Sequence, residues 1–406
     1  MKILYVVSEF PKLSESFVIN EIYELHQRGH DIVVWSIRRP DEDIIHDEVN
    51  DIELTIYYAE KLSFRSLSEF FSGRILNMRV LRGSLFIDSP SYQAYCLLLG
   101  KQIIEKIEDE SEIDIIHSHF AGSSRLAVTY AAAYHNIPCT VTAHANEIFS
   151  SPNIRRLQRV CSRFDHVIVP SEYNKRYLRD HIGINTQMTV VPATTSVDKF
   201  EPSEGCVRGR LLTIARLVEK KGYKYTIDAV AELVNQGYDV EYHIVGTGER
   251  ENLLREQVRE RNIEDNVKFL GHVSDEKLES ELHEANIFVL PCVIASDGDR
   301  DVAPVALKEA MATQTACIST SISAIPELIT DGQDGILVEP NDSEAVADAL
   351  TSLLDDPNYR KELAANGRAT VENKFDISQT VDQLVEVFQS CIQSHGSRGT
   401  RTVNGD

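Results

Sequence analysis

Short apolar segments rich in valine and isoleucine alternate with helical patterns along nearly all of this 406-residue chain. In the first half the apolar segments are KILYVV, DIVVWSI, DIIHSH, CTVTAH, HVIVP and TVVPA, with helical patterns between them, for example at 16–27 and 171–179. Strands of this kind are buried on both faces, which is typical of parallel sheets whose connections are helices. The alternation therefore predicts an α/β fold with parallel sheets.

A second series of the same kind follows a stretch rich in Thr, Ser, Pro and Gly at 193–209. Its apolar segments are RLLTIA, VEYHIVG, VKFLG, IFVLP, ACIST and GILVEP, and we predict helices at 221–236, 249–262, 274–284, 304–313 and 342–354. Because this length suits two domains, we place them at 1–200 and 207–375, with a ligand cleft at the carboxyl ends of their strands. The amphipathic segment 376–393 could pack on either domain and is assigned to the first, and the tail 394–406 is expected to be disordered.

Charge and cysteine usage exclude several classes of protein. A formal charge of −22 and a pI near 5.0 argue against a nucleic-acid partner, which requires a basic surface. No apolar run approaches the roughly 18 residues of a membrane-spanning helix, and the opening MKILYVVSEF is too short for a signal peptide. The seven cysteines are scattered without a C-x-x-C pair, which favours a cytoplasmic protein over a zinc or disulfide scaffold.

One segment, residues 61–82, departs from the acidic trend, with five basic residues, one acid and three interleaved phenylalanines. A second basic run lies at 155–163. Such a surface could make peripheral contact with the anionic inner leaflet of a membrane or with a lipid-diphosphate acceptor. Solvated helix faces explain the same pattern, and both interpretations stay open.

The stretch DGDRDVAPVALKEAM places two acids, Asp301 and Glu309, eight residues apart around Pro304. Proline suits the first turn of a helix, so Asp301 is expected just before a helix and Glu309 about one turn inside it. The space beyond a helix N-terminus favours anions, so the two acids could line a site for a ligand with hydroxyls at one end and phosphate at the other. An ordinary amphipathic helix with a solvated Glu309 explains this stretch equally well.

Two further motifs follow strands of the second half. Arg216 follows RLLTIA and Lys221 lies near the next helix, where two cations suit a diphosphate, although a structural ion pair explains them nearly as well. Gly246 and Gly248 in HIVGTGEREN allow a tight turn, but Glu251 stands where a third glycine would complete G-x-G-x-x-G. A dinucleotide-dependent dehydrogenase is therefore disfavoured, and the chain contains no P-loop motif.

Histidines mark the first half. His144 in TVTAHANEIF follows a predicted strand, where a neutral imidazole could bind a sugar hydroxyl or a phosphate, or could be a satisfied structural histidine. His117 and His119 alternate at the end of another strand. Their spacing resembles a metal pair, but no carboxylate stands at ligand spacing beside them in the sequence, so we predict no metal site.

The order and spacing of these motifs resemble those of family 4 glycosyltransferases, retaining enzymes with the GT-B fold. The resemblance covers nearly the whole chain. In the first half it rests on YVVSEFPKLSESFVINEI, HSHF, TAHANEIF and VIVPSEYNKRYL, which are similar to the branch that builds exopolysaccharides such as colanic acid. In the second half it rests on ARLVEKKG, VGTGE, FLGHV, DRDVAPVALKEAMA and IPELITDGQDGILVEPND. It implies two Rossmann-like, doubly wound parallel-sheet domains facing a central cleft, the first for the acceptor and the second for the nucleotide sugar.

The resemblance also implies a role for each candidate residue. Arg216 and Lys221 match the pair that holds the donor diphosphate, and His144 matches the histidine that touches the donor sugar. Glu309 matches the acid that binds the ribose, and Asp301 matches the acid that contacts the donor sugar, with one methylene less than the usual glutamate.

A second set completes the expected donor site: Gly246, Gly248, Val302, Ala303 and Pro304. Valine stands at 302 where the family commonly has glycine, so a bulkier loop is expected to affect which donor is accepted.

The resemblance implies transfer of a sugar from a nucleoside-diphosphate sugar to a glycan or lipid-linked acceptor, without a cofactor or a metal. Surface polysaccharide and glycoconjugate pathways, including protein N-glycan assembly, use similar chains. The departing phosphate is expected to accept the proton of the acceptor on the front face of the sugar. Two alternatives remain, a nucleotide-sugar epimerase of the same fold and a non-catalytic nucleotide-sugar-binding protein.

Overall fold

The structure, a computed structural model, describes residues 1–12, 15–40, 49, 51–61, 90–110, 112–150, 153–202 and 205–401. The chain forms two compact units, one of Met1–Pro192 with Thr380–Asp406 and one of Ala193–Gln379. The basic segment proposed to meet a membrane, residues 61–82, lies outside the described residues except for Lys61. Among the helices that are described, none is both long enough and apolar enough to cross a bilayer.

A seven-stranded parallel sheet forms the centre of the first unit, with strands in the order β3-β2-β1-β4-β5-β6-β7. The strands are β1 (Lys2–Glu9), β2 (Asp31–Arg38), β3 (Thr55–Tyr58), β4 (Ile115–His119), β5 (Cys139–Thr142), β6 (His166–Val169) and β7 (Met188–Val190). The described helices are α1 (Ser16–Gln27), α2 (Pro90–Asp109), α3 (Leu126–His135), α4 (Ala145–Phe149), α5 (Ile154–Cys161) and α6 (Glu172–Tyr177).

The second unit repeats this design with a six-stranded parallel sheet in the order β10-β9-β8-β11-β12-β13. The strands are β8 (Arg210–Ile214), β9 (Glu241–Val245), β10 (Val267–Gly271), β11 (Ile287–Val289), β12 (Ala316–Thr320) and β13 (Ile336–Val338). The helices are α7 (Tyr223–Asn235), α8 (Glu251–Glu260), α9 (Asp275–Glu284), α10 (Val305–Ala312), α11 (Ile325–Leu328), α12 (Ser343–Asp355) and α13 (Pro357–Lys374). A last helix, α14 (Ile377–Arg401), follows, and its residues from Thr380 onward belong to the first unit.

Both faces of the second sheet are covered, as its apolar strands require. Successive side chains of a strand point to opposite faces. Leu211 accordingly packs in one hydrophobic cluster with residues of α7 and α12, whereas Leu212 packs in another with residues of α10. Ile287 and Phe288 divide between the same two clusters. Each unit is therefore a doubly wound, Rossmann-like domain, and the predicted fold class is confirmed.

Some elements differ from the sequence analysis. It did not anticipate β3, a short strand with half-buried rather than continuously apolar residues, or the polar helix α13. The tail expected to be disordered from residue 394 is helical as far as Arg401. Composition was the wrong guide there, because packed turns around Leu384 and Phe388 nucleate α14, and extending a helix costs far less than starting one.

Candidate active site

The candidate site of the second unit lies where its strand order reverses. β9 and β10 lie on one side of β8, and β11 lies on the other, so the loops after β8 and β11 meet at the carboxyl ends of the strands. The backbone N–H of Val293, after β11, donates to the carbonyl of Lys220, after β8, at 2.9 Å. Ligands of doubly wound sheets bind at such a switch point.

Two lysines and two aspartates form an ion-pair cluster at this point. The Nζ of Lys221 lies 2.6 Å from Oδ2 of Asp301, and the Nζ of Lys220 lies 3.0 Å from Asp299 and 3.6 Å from Oδ1 of Asp301. The side chains of Lys220, Lys221 and Asp301 are only 8%, 13% and 16% exposed. Buried charges of this kind have to be paired. The structure therefore brings Lys221 and Asp301 together and adds Lys220 and Asp299, which the sequence analysis missed.

The electrostatics of the cluster follow from this pairing. Burial raises the pKa of Asp301, but Lys221 and Lys220 together outweigh it, and the pKa lies below the ordinary value of an aspartate. Burial likewise lowers the pKa of Lys221, but Asp301 outweighs it and leaves that pKa raised. Both groups are therefore charged at neutral pH.

Arg216 adds a third cation. Arg216 follows β8 and is exposed. Its charge lowers the pKa of Lys221, which indicates that it lies near the Lys221–Asp301 pair. No carboxylate of the described chain pairs with its guanidinium. An exposed, unpaired arginine beside a buried lysine is a suitable arrangement for a diphosphate.

The placement of the two acids around Pro304 agrees with the expected geometry. Pro304 immediately precedes α10, Asp301 lies in the loop before it, and Glu309 is the fifth residue of the helix, about one turn inside. Val302 is buried, whereas Ala303 and Glu309 are half-buried.

Next to Glu309, the side chain of Lys308 is buried and was not anticipated. Its Nζ donates to the carbonyl of Ala193 and lies 5.1 Å from the centre of the Phe375 ring. Burial lowers the pKa of Lys308 to about 7, against the opposing influence of Glu309.

The glycines after β9 are required by the fold itself. A Cβ on Gly246 would lie 2.1 Å from the carbonyl oxygen of Ala215, and one on Gly248 would lie 2.5 Å from that of Leu217. Gly246 also has a φ of 127°, which side-chain-bearing residues rarely adopt. The close approach is thus to the backbone that carries Arg216, and the glycines hold the loop after β8 in place.

In the first unit the functional candidate is His144, which precedes α4. The carboxylate of Glu147 accepts the His144 backbone N–H at 2.7 Å. Nε2 of the His144 ring lies 3.1 Å from Nδ1 of His119. The other ring nitrogen of His119, Nε2, lies 3.1 Å from Oε1 of Glu21. Burial, and then the nearby His119, lowers the pKa of His144 well below that of an ordinary histidine, so its imidazole is neutral at neutral pH.

The sequence argument against a metal at His117 and His119 considered local spacing alone, and the fold supplies a carboxylate that local spacing does not show. α1 brings Glu21 beside both histidines, and one ligand atom from each of the three residues lies within 4.8 Å of the others. Glu21 is 98 residues from His119, so no local spacing could reveal it. His117 also has protein partners at both ring nitrogens, Thr140 at 2.8 Å and Thr142 at 3.2 Å.

A buried arginine supports this region. Arg125 donates to the carbonyl of His119 at 2.8 Å and to the hydroxyl of Ser8 at 2.8 Å. Burial lowers the pKa of Arg125 to about 10 and raises the pKa of Glu147 to about 7, although backbone N–H groups stabilise that carboxylate. Neither residue was singled out from the sequence, although Glu147 lies within the TAHANEIF motif, because a local pattern does not show which side chains become buried.

The profile of Glycosyltransferase Family 4 matches residues 14–199, and the profile of Glycosyl transferases group 1 matches residues 207–370. WcaL of Salmonella typhimurium, named as a colanic acid biosynthesis glycosyltransferase, is 25% identical over 96% of this chain and 100% of its own. The amylovoran biosynthesis glycosyltransferase AmsK of Erwinia amylovora is 38% identical over 44% of each chain.

Among solved structures, HepE of Anabaena in complex with UDP superposes with a TM-score of 0.73 at 17% identity. The match covers 96% of this chain and 100% of HepE. At this identity the likeness concerns the fold alone.

Proposed function

Because the chain belongs to glycosyltransferase family 4 and has the GT-B fold, we propose that it transfers a sugar from a nucleoside-diphosphate sugar with retention of configuration. The observation that carries this proposal is the cluster of Lys220, Lys221 and Asp301 beside the exposed Arg216, at the strand switch point of the second unit. It combines cations for a diphosphate with a carboxylate for a sugar hydroxyl.

The cations would act on the leaving group. Negative charge grows on the nucleoside diphosphate as the glycosidic bond breaks, and fixed cations stabilise that charge without reorganising. Arg216 supplies a planar fork and Lys221 a point charge. Asp299 and Asp301 are both paired with lysines. Because these lysines neutralise the two carboxylates, the pairing supports a leaving-group site that works without a metal ion.

The acids would hold the two ends of the donor. Asp301 lies before α10 and would accept a hydroxyl of the donor sugar, whereas Glu309, one turn inside the helix, would bind the ribose. Gly246 and Gly248 keep the Arg216 loop close to β9, so they would support donor binding indirectly. The departing phosphate would accept the proton of the attacking acceptor hydroxyl.

The acceptor is proposed from the relatives. WcaL and AmsK are named for the biosynthesis of colanic acid and amylovoran, so we assign this chain a growing glycan or lipid-linked acceptor in exopolysaccharide assembly. HepE structures hold UDP and UDP-glucose, which makes uridine nucleotides the first donors to examine. None of the seven cysteines forms a disulfide, which supports a reducing, cytoplasmic location. Attachment to the inner leaflet through residues 61–82 stays a hypothesis, and binding to anionic liposomes at rising salt tests it.

A donor screen tests the function. The wild-type protein is incubated with UDP-, GDP- and dTDP-sugars, with and without extracts of lipid-linked acceptors, and products are identified by mass spectrometry. Asp301→Asn and Glu309→Gln accompany it, with Asp348→Asn and Glu344→Gln on the exposed face of α12 as matched controls. We expect one donor to be consumed only when acceptor is present, by wild type and controls but not by the two site variants.

The alternatives give different results in the same screen. An epimerase would release an altered nucleotide sugar without acceptor. A binding protein would retain one donor in equilibrium dialysis and turn over none. If wild type binds no donor at all, the transferase proposal fails.

A further inference from the structure

The buried lysine of α10 has no role in the reaction proposed above. Lys308 is the fourth residue of α10, and its side chain is 1% exposed. Within the described part of the chain, its ammonium group meets no carboxylate at ion-pair distance, and its partners are the carbonyl of Ala193 and the ring of Phe375. A lysine is almost never buried without a paired charge, because desolvation of the cation is unfavourable. Lys308 is therefore expected to have a role that stability does not explain.

The two partners of Lys308 lie close to the points where the chain passes between its two units. Ala193 is the first residue of the second unit, and Phe375 lies shortly before the chain returns to the first unit. The backbone near these points is also joined, since the N–H of Ile377 donates to the carbonyl of Thr195 at 3.2 Å. Lys308 thus links α10 to both connections. We refer to residues 193–200 and 375–379 as the connecting segments.

A second cation holds the other end of α10. Nη1 of Arg368, on α13, donates to the carbonyl of Phe200 at 2.9 Å and to the carbonyl of Ala312, the last residue of α10. Arg368 has a carboxylate partner, because its Nε lies 2.7 Å from Glu372. Cations that bond main-chain carbonyls therefore hold α10 at its fourth residue and at its last, and Lys308 does so without a paired carboxylate.

We propose that Lys308 is a positioning residue for nucleotide binding, which fixes α10 against the connecting segments and so holds Glu309 in place. Glu309 directly follows Lys308 and is half-buried, so a shift or rotation of α10 moves its carboxylate. The proposal rests on the role proposed above for Glu309 as the ligand of the ribose. Such geometry has to be held closely, because a misplacement of about 1 Å can reduce activity about a hundredfold.

The charge of Lys308 strengthens this anchor. An ammonium group donates a shorter and stronger hydrogen bond than a neutral amine does, and only the cation is attracted to the face of the Phe375 ring. Burial lowers the pKa of Lys308 to about 7, against the opposing influence of Glu309. The anchor should therefore weaken as the pH rises through about 7.

The charged groups around Lys308 lie on three elements. Among the described residues, Glu309 on α10 itself is the charged group that acts on the pKa of Lys308. On the first connecting segment Lys199 is paired with Asp275 at 3.1 Å, and on the second the carboxylate of Asp376 accepts the backbone N–H of Ser378 at 2.9 Å. The charged side chains of the connecting segments and the last turns of α13 are Asp198, Lys199, Arg368, Glu372, Lys374 and Asp376.

Nucleotide binding by the full-length protein tests the anchor. Lys308→Met removes the cation and keeps an unbranched side chain, and Lys374→Met makes the same change at the exposed last residue of α13 as a matched control. UDP, GDP and dTDP are titrated into each protein in a calorimeter. We expect Lys308→Met to bind the preferred nucleotide roughly five- to twentyfold more weakly, the effect of losing about one hydrogen bond, and the control to stay within about twofold. An unchanged dissociation constant in Lys308→Met would overturn the proposal.

Thermal stability separates positioning from an ordinary structural role. Loss of an ordinary structural contact would lower the melting temperature, whereas removal of a buried cation without a paired charge should leave Lys308→Met at least as stable as wild type at pH 7. The expected combination is therefore weaker nucleotide binding with an equal or higher melting temperature. If Lys308→Met binds more weakly and also melts at a lower temperature, Lys308 is a structural residue and the proposal is wrong.

The pH profile of binding tests the charge. Between pH 6.5 and 8.5, wild type should lose nucleotide affinity roughly three- to tenfold relative to Lys308→Met, and this comparison cancels the ionisation of the nucleotide itself. Lys308→Arg keeps a cation at every pH, so it should restore the affinity and abolish the extra pH dependence. If the larger arginine prevents folding, the comparison with Lys308→Met decides alone, and identical profiles would refute the role of the charge.

Hydrogen exchange of the ligand-free protein tests the anchor independently of the proposed function. In Lys308→Met the peptides that cover α10 and the connecting segments should exchange faster than in wild type, whereas those of α12 should not change. If none of the three nucleotides binds to wild type, the proposed function fails. Faster exchange around α10 would then still support the anchor, and unchanged exchange would refute it.

Discussion

The ion pair between Asp301 and Lys221 is expected to support the fold of the second unit as well as the reaction. In Asp301→Asn, Lys221 loses its nearest opposite charge and Lys220 loses the more distant of its two, while their side chains remain 13% and 8% exposed. Removing one partner of a buried pair costs about 3–5 kcal/mol, because the other charge is left buried and unpaired. Asp299 still pairs with Lys220, so we expect the lower limit, about 3 kcal/mol.

This free energy corresponds to a large shift in melting temperature. A unit of 150–250 residues loses roughly 2–4 °C per kcal/mol, so the calorimetric transition of the second unit should fall by about 6–12 °C. The matched control is Asp228→Asn on α7, whose partner Arg261 is 51% exposed. A surface pair of this kind contributes little to stability, so the control should lower the melting temperature much less than Asp301→Asn does.

A double-mutant cycle with Lys221→Met isolates the pair itself. If loss of the ion pair causes the destabilisation of Asp301→Asn, the double variant should be more stable than the sum of the two single losses predicts, with a coupling energy of about 2 kcal/mol. A melting temperature of Asp301→Asn within 2 °C of wild type, or additive losses in the cycle, would show that solvent already screens the cluster.

The contribution of the Asp301–Lys221 pair to the free energy of unfolding should depend on pH with a defined sign. The pKa of Asp301 is lower in the folded chain than in the unfolded one, so the pair contributes its full stability above the unfolded value, near pH 4. That contribution is lost as the pH falls through the folded pKa. The stability difference between wild type and Asp301→Asn should therefore be constant from pH 5 to 8 and shrink below about pH 4, and a difference that instead varies between pH 6 and 8 would contradict the assignment.

Three further predictions concern groups outside this pair. Because the pKa of Lys308 falls to about 7, wild type should gain up to about 5 kcal/mol relative to Lys308→Met between pH 7 and 10.5, measured by urea unfolding, and a flat difference would refute the lowered pKa. The pKa of Glu147 rises to about 7, so wild type should lose up to about 3 kcal/mol relative to Glu147→Gln as the pH rises from 4.5 to 7. Gly248→Ala places a Cβ 2.5 Å from a backbone oxygen and should cost roughly 1–3 kcal/mol and weaken donor binding, whereas Gly205→Ala, with nothing within 4 Å, should change neither.

The sequence was sufficient wherever a local pattern determines the structure. Apart from β3, the parallel strands of both sheets were predicted because each is a short, continuously apolar run that must be covered on both faces. The relation of Asp301 and Glu309 to α10 was predicted because Pro304 cannot lie inside a helix.

The sequence was insufficient wherever the structure depends on contacts between distant segments. Lys220 and Lys221 are adjacent, and no local rule shows that both turn inward, toward Asp299 and Asp301 about 80 residues away. Likewise Glu21 reaches His119 only because α1 packs beside β4, so the reasoning from local spacing excluded a carboxylate that the fold supplies.

The pairing of Asp301 with Lys221 makes the two ends of the proposed donor site interdependent. If a diphosphate draws Lys221 away from Asp301, the buried carboxylate loses its nearest partner, which is unfavourable. An intact nucleotide sugar offers Asp301 a hydroxyl in exchange, whereas the released nucleoside diphosphate offers none. The second unit should therefore favour the donor over the product by the free energy of that exchanged contact, which promotes product release after transfer.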